Sequence, residues 1–192
     1  MRSIELIVIG GSAGSLQVLL SLFPWIPAGF PVPLLLVLHR NSQFESALED
    51  ILASRTSLLV SEVEEKEVPQ PGNVYLAPAD YHVLIEHDGS FSLDNSEPVH
   101  FSRPSIDVSF KTAADFYGDR LVCMLLSGGN ADGAEGLAYV KARGGITVVQ
   151  DPVDAESPFM PRFALQITQP CHILTGARMG EFIRSLWPPR HA

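Results

Sequence analysis

The sequence is poor in cysteine, in positive charge and in long apolar runs. Its 192 residues include two cysteines, and 13 lysines and arginines stand against 22 acids, for a net charge of −9. Phosphate backbones and anionic lipid surfaces repel a chain of that charge, so we expect no nucleic-acid binding and no membrane insertion. The longest purely aliphatic run, residues 34–38, is far shorter than the roughly 20 residues that a membrane-spanning helix needs.

The sequence also shows no cysteine pattern typical of a disulfide framework, no signal peptide and no segment typical of a linker between domains. Cys123 and Cys171 each lie in an apolar stretch typical of a buried strand, which favours two small core side chains over a disulfide or a metal site. The first residues lack the basic region and cleavage site of a signal peptide, so we expect a cytoplasmic protein. Residues 1–192 are expected to form one domain.

Four short apolar runs lie at residues 4–9, 34–38, 121–126 and 146–149. They are too brief for ordinary helices, and they lack the alternation of a half-exposed strand. Such runs are typical of strands that are buried on both faces of a parallel sheet covered by helices.

Helical patterns separate these runs. The clearest covers residues 106–117, where apolar side chains recur at i, i+4, i+7, i+8 and i+11. Ser105 is the expected N-cap of this helix, and Gly118 its end. Further helices are expected after Gly14, Phe44, Gly133 and Pro161.

One segment instead shows alternating apolar and polar residues, the pattern of strands with one exposed face. Residues 82–86 and 91–93 flank an Asp88-Gly89 turn, which predicts an antiparallel hairpin within about residues 74–93. The predicted fold is therefore α/β: a doubly wound, mostly parallel sheet with helices on both faces and an antiparallel hairpin at one edge.

The first candidate for chemistry is Ser12. Residues 10–14 read Gly-Gly-Ser-Ala-Gly and lie between the first predicted strand and a predicted helix. Glycines at such a junction can hold a phosphate at the helix N-terminus, or they can present a serine nucleophile as in G-x-S-x-G. A tight turn with Ser12 as an ordinary helix cap is the third interpretation.

The end of the second predicted strand favours the serine nucleophile. A dinucleotide site would place an acid there for the ribose, whereas this chain has His39 followed by Arg40. An imidazole is the base that a serine needs, since it accepts the hydroxyl proton and later returns it to the leaving group. Taken alone, His39 could equally be a structural histidine.

A third strand end carries an acid. Residues 127–134 read Ser-Gly-Gly-Asn-Ala-Asp-Gly-Ala, and Asp132 could orient His39 or could cap the next helix. Backbone N–H groups near Gly129 and Asn130 are candidates for an oxyanion hole. Because three parallel strands each end in one member of a Ser/His/Asp set, we predict that Ser12, His39 and Asp132 meet at one edge of the sheet.

With these motifs the sequence resembles the catalytic domain of CheB-type protein-glutamate methylesterases over residues 4–186. The matching segments are residues 9–14 (Ile-Gly-Gly-Ser-Ala-Gly), 38–39 (Leu-His), 74–78 (Val-Tyr-Leu-Ala-Pro), 103–107 (Arg-Pro-Ser-Ile-Asp), 126–133 (Leu-Ser-Gly-Gly-Asn-Ala-Asp-Gly) and 160–161 (Met-Pro). The resemblance implies a Ser12-His39-Asp132 triad on an α/β sheet. It also implies hydrolysis of glutamate methyl esters on chemoreceptor helices, with release of methanol, without a metal or an organic cofactor, and in some members deamidation of receptor glutamines.

The chain departs from the family pattern at two points. The usual serine segment resembles G-A-S-T-G-G, whereas Ala13 follows the serine here and Ser15 replaces a later glycine. Full-length members commonly carry an N-terminal receiver domain, and we expect the catalytic domain alone in residues 1–192. Arg103 and Met160 are candidates for the substrate cleft, although Arg103 could simply fix the entry into a helix.

Two other function classes stay open at this point. A catalytically silent signalling module of the same fold would bind receptor helices or another partner. A nucleotide-binding domain would use the first glycine turn, but the second strand lacks the acid that such a site needs.

Overall fold

The computed structural model describes residues 3–40 and 45–187. The strands are β1 (Leu6–Gly11), β2 (Leu34–Leu38), β3 (Leu59–Glu62), β4 (Asn73–Leu76), β5 (His82–Ile85), β6 (Phe91–Asp94), β7 (Leu121–Leu125), β8 (Ile146–Gln150) and β9 (His172–Leu174). The α-helices are α1 (Ser15–Leu22), α2 (Glu45–Ala53), α3 (Ile106–Tyr117), α4 (Ala134–Ala142), α5 (Phe159–Ile167) and α6 (Gly176–Ser185).

Within the described residues, seven strands form one parallel sheet in the order β3-β4-β2-β1-β7-β8-β9. Successive side chains of β1 enter two different cores. Leu6 and Val8 join the core that contains Phe110 of α3, whereas Ile7 and Ile9 join the core that contains Leu19 of α1. This two-sided burial explains why the central strands are apolar throughout, and it confirms the predicted doubly wound α/β architecture.

The predicted hairpin exists, but it forms a sheet of its own. β5 and β6 pair antiparallel in a separate two-stranded sheet, and Ile85 N–H donates to Thr112 Oγ1 of α3 at 3.1 Å. Val83 and Phe91 belong to the same core as α3, so the hairpin covers that core instead of extending an edge. Val74, placed in the hairpin by the sequence pattern, lies in β4 of the parallel sheet.

The predicted limits of α3 are confirmed. Ser105 precedes the helix and its Oγ accepts a hydrogen bond from Val108 N–H, while Gly118 follows its last residue. By contrast, α5 begins two residues before Pro161, because proline is tolerated in the first turn of a helix. Of the helices expected elsewhere, the one after Phe44 begins at Glu45, and Phe44 itself lies outside the described residues.

The cysteines differ in burial. Cys123 is buried in β7, as expected, but Cys171 is exposed just before the short strand β9, so the expectation of a core side chain there is wrong. A three-residue strand at the sheet edge has little apolar cover, and that explains the exposure. Both thiols are free. None of the helices within residues 3–40 and 45–187 is long and apolar enough to cross a membrane.

Two glycines position the first turn of α3. A Cβ atom on Gly10 of β1 would lie 2.3 Å from Ile106 Cγ2, and one on Gly133 would lie 2.7 Å from the same atom. Ile106 is fully buried in the niche that these glycines leave. The start of α3 therefore lies directly over the carboxyl end of β1.

A buried acid joins α3 to α4. Asp107 Oδ1 accepts a hydrogen bond from Gly136 N–H at 2.5 Å, whereas Oδ2 forms no hydrogen bond with any described residue and lies 3.3 Å from His100 Nε2. Burial raises the pKa of Asp107 to about 6, and the charge of Asp132 adds to that shift. The Gly136 N–H group, Lys111 and His100 oppose it.

We expect Gly10→Ala to lower the free energy of unfolding by about 1–3 kcal/mol, because the new methyl group overpacks Ile106. Ile106→Ala alone should cost about 2–5 kcal/mol, and the double variant should lose clearly less than the sum, since the truncated side chain makes room for the methyl group. Urea unfolding of the four proteins tests this. Strictly additive losses would contradict the niche.

Asp107 should make the protein less stable as pH rises from about 4 to 6. A carboxyl whose pKa is higher in the folded than in the unfolded state binds more protons when folded, so stability falls across the interval between the two values. Asp107→Asn keeps the acceptor for Gly136 and should flatten this decline, gaining about 1–3 kcal/mol at pH 7. Thermal unfolding of the wild type and the variant at several pH values measures this decline, and Asp50→Asn, at an exposed position, is the control. The same pH dependence of stability in the wild type and in Asp107→Asn would refute the raised pKa of Asp107.

Candidate active site

The candidate site lies where three adjacent strands end. β1 pairs with β2 on one side and with β7 on the other. The ladder continues one step past the strands, because His39 N–H donates to Gly11 O at 3.1 Å and Ser12 N–H donates to Ser127 O at 2.8 Å. The chain moves from one side of β1 to the other at this point, which is where open α/β sheets place their ligands.

His39 and Asp132 form an ion pair or charge-assisted hydrogen bond. His39 Nε2 lies 2.8 Å from Asp132 Oδ2, although the two residues are 93 positions apart in the chain. The Asp132 side chain has no solvent exposure, and that of His39 is 13% exposed. The pair thus has one buried member and one that reaches the cleft.

The start of α3 surrounds the Asp132 carboxylate with donors. Oδ1 accepts from Ser105 Oγ at 2.9 Å and from Asp107 N–H at 3.0 Å, and Oδ2 accepts from Ile106 N–H at 2.7 Å. Gly133 N–H donates to Oδ1 as well. Asp132 therefore accepts from the N-terminus of α3. The next helix, α4, begins at Ala134, and its N-cap Gly133 provides no side-chain hydrogen bond.

These donors decide the charge of Asp132. Burial alone would raise the pKa of the carboxyl, but the hydrogen bonds from His39, Asp107 and Ile106 outweigh burial and hold the pKa below its usual value. The group is a carboxylate at neutral pH. It can only accept hydrogen bonds in that state.

The charge of Asp132 in turn fixes the His39 tautomer. Since the carboxylate accepts, Nε2 of the neutral ring carries the proton and Nδ1 holds the free lone pair. The nitrogen that can act as a base is Nδ1. In the usual Ser-His-Asp triad the acid binds Nδ1 and Nε2 is the base. In this protein the two ring nitrogens exchange these roles.

Ser12 lies on a sharp turn between β1 and α1. Gly14 has φ of 80°, and a Cβ atom there would lie 2.6 Å from Glu156 Cβ. Ser15, at the family's usual glycine, donates through Oγ to Ser12 O at 2.6 Å and stabilises the turn. Ser12 is partly exposed, and in the described chain its hydroxyl forms no hydrogen bond with the His39 ring.

A different serine contacts the ring. Ser102 Oγ lies 3.3 Å from His39 Nδ1, and Asn130 Nδ2 donates to the same Oγ at 2.9 Å. Sequence patterns gave no signal for Ser102, because it lies in an irregular loop 63 residues from His39. Asn130, predicted for its backbone, also takes part through its side chain.

Gly128 and Gly129, in the loop of residues 127–133, differ in whether their N–H groups already donate a hydrogen bond. Gly128 N–H donates to Ser157 O at 3.0 Å and is not available to a substrate. Gly129 is exposed, and among the described residues no partner accepts from the N–H groups of Gly129, Asn130 or Ala13.

The two predicted cleft residues have different environments. Met160 is fully buried and packs at Gly128, where a Cβ atom would lie 2.4 Å from Met160 Cε and 3.2 Å from Ser12 Cβ. Arg103 donates through Nη1 to Asn95 O at 2.8 Å and lies in an open cleft of about 500 Å³. The cleft is lined by His39, Arg40, Asp80, Phe101, Ser102 and Arg103. A larger cavity, of about 640 Å³, opens near Glu5 and Pro33 at the other ends of the strands.

One group of possible metal ligands occurs in the part of the chain that the structure describes. The ligand atoms of His100, Asp107 and Glu135 lie within 4.8 Å of one another. Glu135 pairs with Lys111 at 3.2 Å, and Asp107 accepts from Gly136 N–H, so these groups already have other partners.

Comparison with known proteins places the chain in a family. The CheB methylesterase family model matches residues 7–183. A Leptospira interrogans protein, named for protein-glutamate methylesterase and protein-glutamine glutaminase, is 43% identical over 94% of both chains. A Methanospirillum hungatei protein with these two activities in its name is 37% identical over 96% of this chain, which spans 53% of that relative.

A solved structure agrees with the fold. The crystal structure of the Thermotoga maritima CheB methylesterase catalytic domain has a TM-score of 0.91 and 30% identity. The match covers 96% of this chain and 100% of the Thermotoga chain. The chain therefore belongs to the CheB methylesterase family.

Proposed function

We propose that this protein is a cytoplasmic serine esterase that hydrolyses glutamate methyl esters on chemoreceptor helices, using Ser12, His39 and Asp132 as its triad. The same site would deamidate receptor glutamines, since relatives are named for both activities. The observation that carries the proposal is the His39–Asp132 hydrogen bond, which lies with Ser12 at the carboxyl ends of three adjacent parallel strands. Residues 1–192 would act as one catalytic domain.

The proposed reaction proceeds in two transfers. Ser12 Oγ attacks the ester carbonyl while His39 Nδ1 takes the hydroxyl proton, and Asp132 stabilises the imidazolium through Nε2–H. The C–O bond to the methoxy group then breaks, and Nδ1–H gives its proton to the departing oxygen, forming methanol. Water, activated by Nδ1, hydrolyses the acyl-serine and restores the glutamate carboxyl and the Ser12 hydroxyl.

The oxyanion that develops on the ester carbonyl needs N–H groups that do not already donate to another residue. The N–H groups of Gly129 and Asn130 meet this condition among the described residues, and Gly128 does not. Ala13 N–H, directly after the nucleophile and before α1, is a further candidate because helix N-termini favour negative charge.

The triad prediction is that Ser12→Ala and His39→Ala each lower methanol release from methylated receptor by more than about 10³-fold, with the double variant little worse than either single change. Residues that act as one unit lose their function together. Labelling by a fluorophosphonate probe should disappear in Ser12→Ala and persist in the control Ser54→Ala, whose hydroxyl only bonds to Ile51 O on α2. Multiplicative losses, or full activity in Ser12→Ala, would point to a silent module instead.

Asp132→Asn should impair both catalysis and stability. The amide nitrogen would replace one of two oxygens that accept from Ser105, Ile106, Asp107, Gly133 and His39. We expect activity to fall about 10⁴-fold, by analogy with the usual Ser-His-Asp triad, and the free energy of unfolding to fall by about 1–3 kcal/mol. Ser12→Ala should change activity alone. Wild-type stability in Asp132→Asn, measured by urea unfolding, would show that these donors do not depend on the carboxylate.

A further inference from the structure

We infer that Ser102 is a positioning residue for His39, which holds the ring with Nδ1 ready to act as the base. The inference rests on the proposed function and adds a hydroxyl that the triad does not include. Ser102 is buried, at 8% exposure, and its Oγ is the described group that faces Nδ1, at 3.3 Å.

The hydrogen-bond directions follow from the partners. The Asn130 amide nitrogen can only donate, so Ser102 Oγ accepts from it at 2.9 Å. Nδ1 is unprotonated because Nε2 carries the proton toward Asp132, and it can only accept. In the contact with His39, Ser102 Oγ–H therefore donates to Nδ1, which gives a continuous chain of hydrogen bonds from Asn130 through Ser102 and His39 to Asp132.

A second contact is needed because one hydrogen bond does not fix an imidazole ring. The χ2 torsion of histidine is broad, so a ring held at Nε2 alone can tilt or turn. Ala13, the residue after the nucleophile, has no hydroxyl that could hold the other side. Ser102 provides this contact and sets the plane in which Ser12 meets the lone pair.

Two serines three residues apart hold the two members of the pair. Ser105 Oγ donates to Asp132 Oδ1 at 2.9 Å, and Ser102 Oγ contacts His39. The distance between the serines in the chain is short, so the start of α3 and the loop before it fix the acid and the base relative to each other.

A strained turn places Ser102. Val99 and Ser102 exchange two backbone hydrogen bonds, of 2.9 and 3.1 Å, around His100 and Phe101. Both central residues have positive φ, 50° and 62°, as in a type I′ turn that normally prefers asparagine and glycine. Such conformations cost about 1–3 kcal/mol each and persist where the surrounding structure enforces them, often at functional sites.

The Ser102 hydroxyl can rotate away from Nδ1 while the rest of the side chain stays in position. Its hydroxyl has a second acceptor, His100 O at 3.4 Å, toward which it can rotate when Ser12 engages Nδ1. While it donates to Nδ1 it stabilises the neutral ring. Its removal should therefore favour the imidazolium and move the acid limb of the activity profile to higher pH.

The test compares Ser102→Thr with Ser102→Val, which have nearly the same shape and differ in the hydroxyl. We expect the valine variant to lose about 5–20-fold in kcat for methanol release at pH 7, and its acid limb to move up by about 0.5–1 pH unit, while the threonine variant stays near wild type. The other charged groups of the cleft, Arg40, Asp80 and Arg103, are the same in both variants. Ser96→Ala, whose hydroxyl bonds to Asp94, is the control for serine loss near this loop.

A spectroscopic readout is independent of turnover. In the Ser12→Ala background, ¹⁵N shifts of His39 should report an Nε2–H tautomer with an Nδ1 that accepts a hydrogen bond, and the Nδ1 signal should shift when Ser102→Val is added. Superimposable spectra, or equal kcat and pH profiles for the threonine and valine variants, would overturn the role of Ser102. A wild-type protein that neither releases methanol nor reacts with the probe at Ser12 would instead refute the proposed function.

Discussion

The buried carboxylate of Asp132 is the group on which the rest of the site depends. An unpartnered charge in a protein interior is strongly destabilising, and here hydrogen bonds from the start of α3 offset its loss of water. Because these donors keep the group ionised, it can only accept from His39. The protonated nitrogen of the ring, and with it the nitrogen left to act as a base, follow from the charge of one side chain.

The hydrogen-bond donors of α3 can reach Asp132 because two nearby positions are glycines, which have no side chain. Gly10 and Gly133 leave a niche that Ile106 fills, and this contact brings the first N–H groups of α3 to the carboxyl ends of β1 and β7. A methyl group at either glycine would push the helix start away. The packing of the core and the chemistry of the site therefore share the same few atoms around Ile106.

Two acids near the start of α3 show how strongly the local donors matter. Asp132 and Asp107 are both buried, yet the pKa of Asp132 is lowered and that of Asp107 is raised to about 6. Asp132 accepts hydrogen bonds on both oxygens, whereas Oδ2 of Asp107 has no hydrogen-bond donor among the described residues. The number of donors, more than the depth of burial, separates a carboxylate suited to orient His39 from one that resists ionisation.

Local sequence patterns predict the periodic elements and the strand ends that carry Ser12, His39 and Asp132, because burial on two faces and helix capping each leave a signal in nearby residues. They also predict both limits of α3, with Ser105 directly before the helix and Gly118 directly after it. Local patterns do not predict that the hairpin forms its own sheet, that Asp132 accepts from α3, or that Ser102 contacts Nδ1, because long-range packing sets all three. These outcomes depend on strand register and on the path of the loops, which bring together residues 25 to 27 positions apart at Asp132 and 63 positions apart at Ser102. No local pattern encodes which atoms then meet.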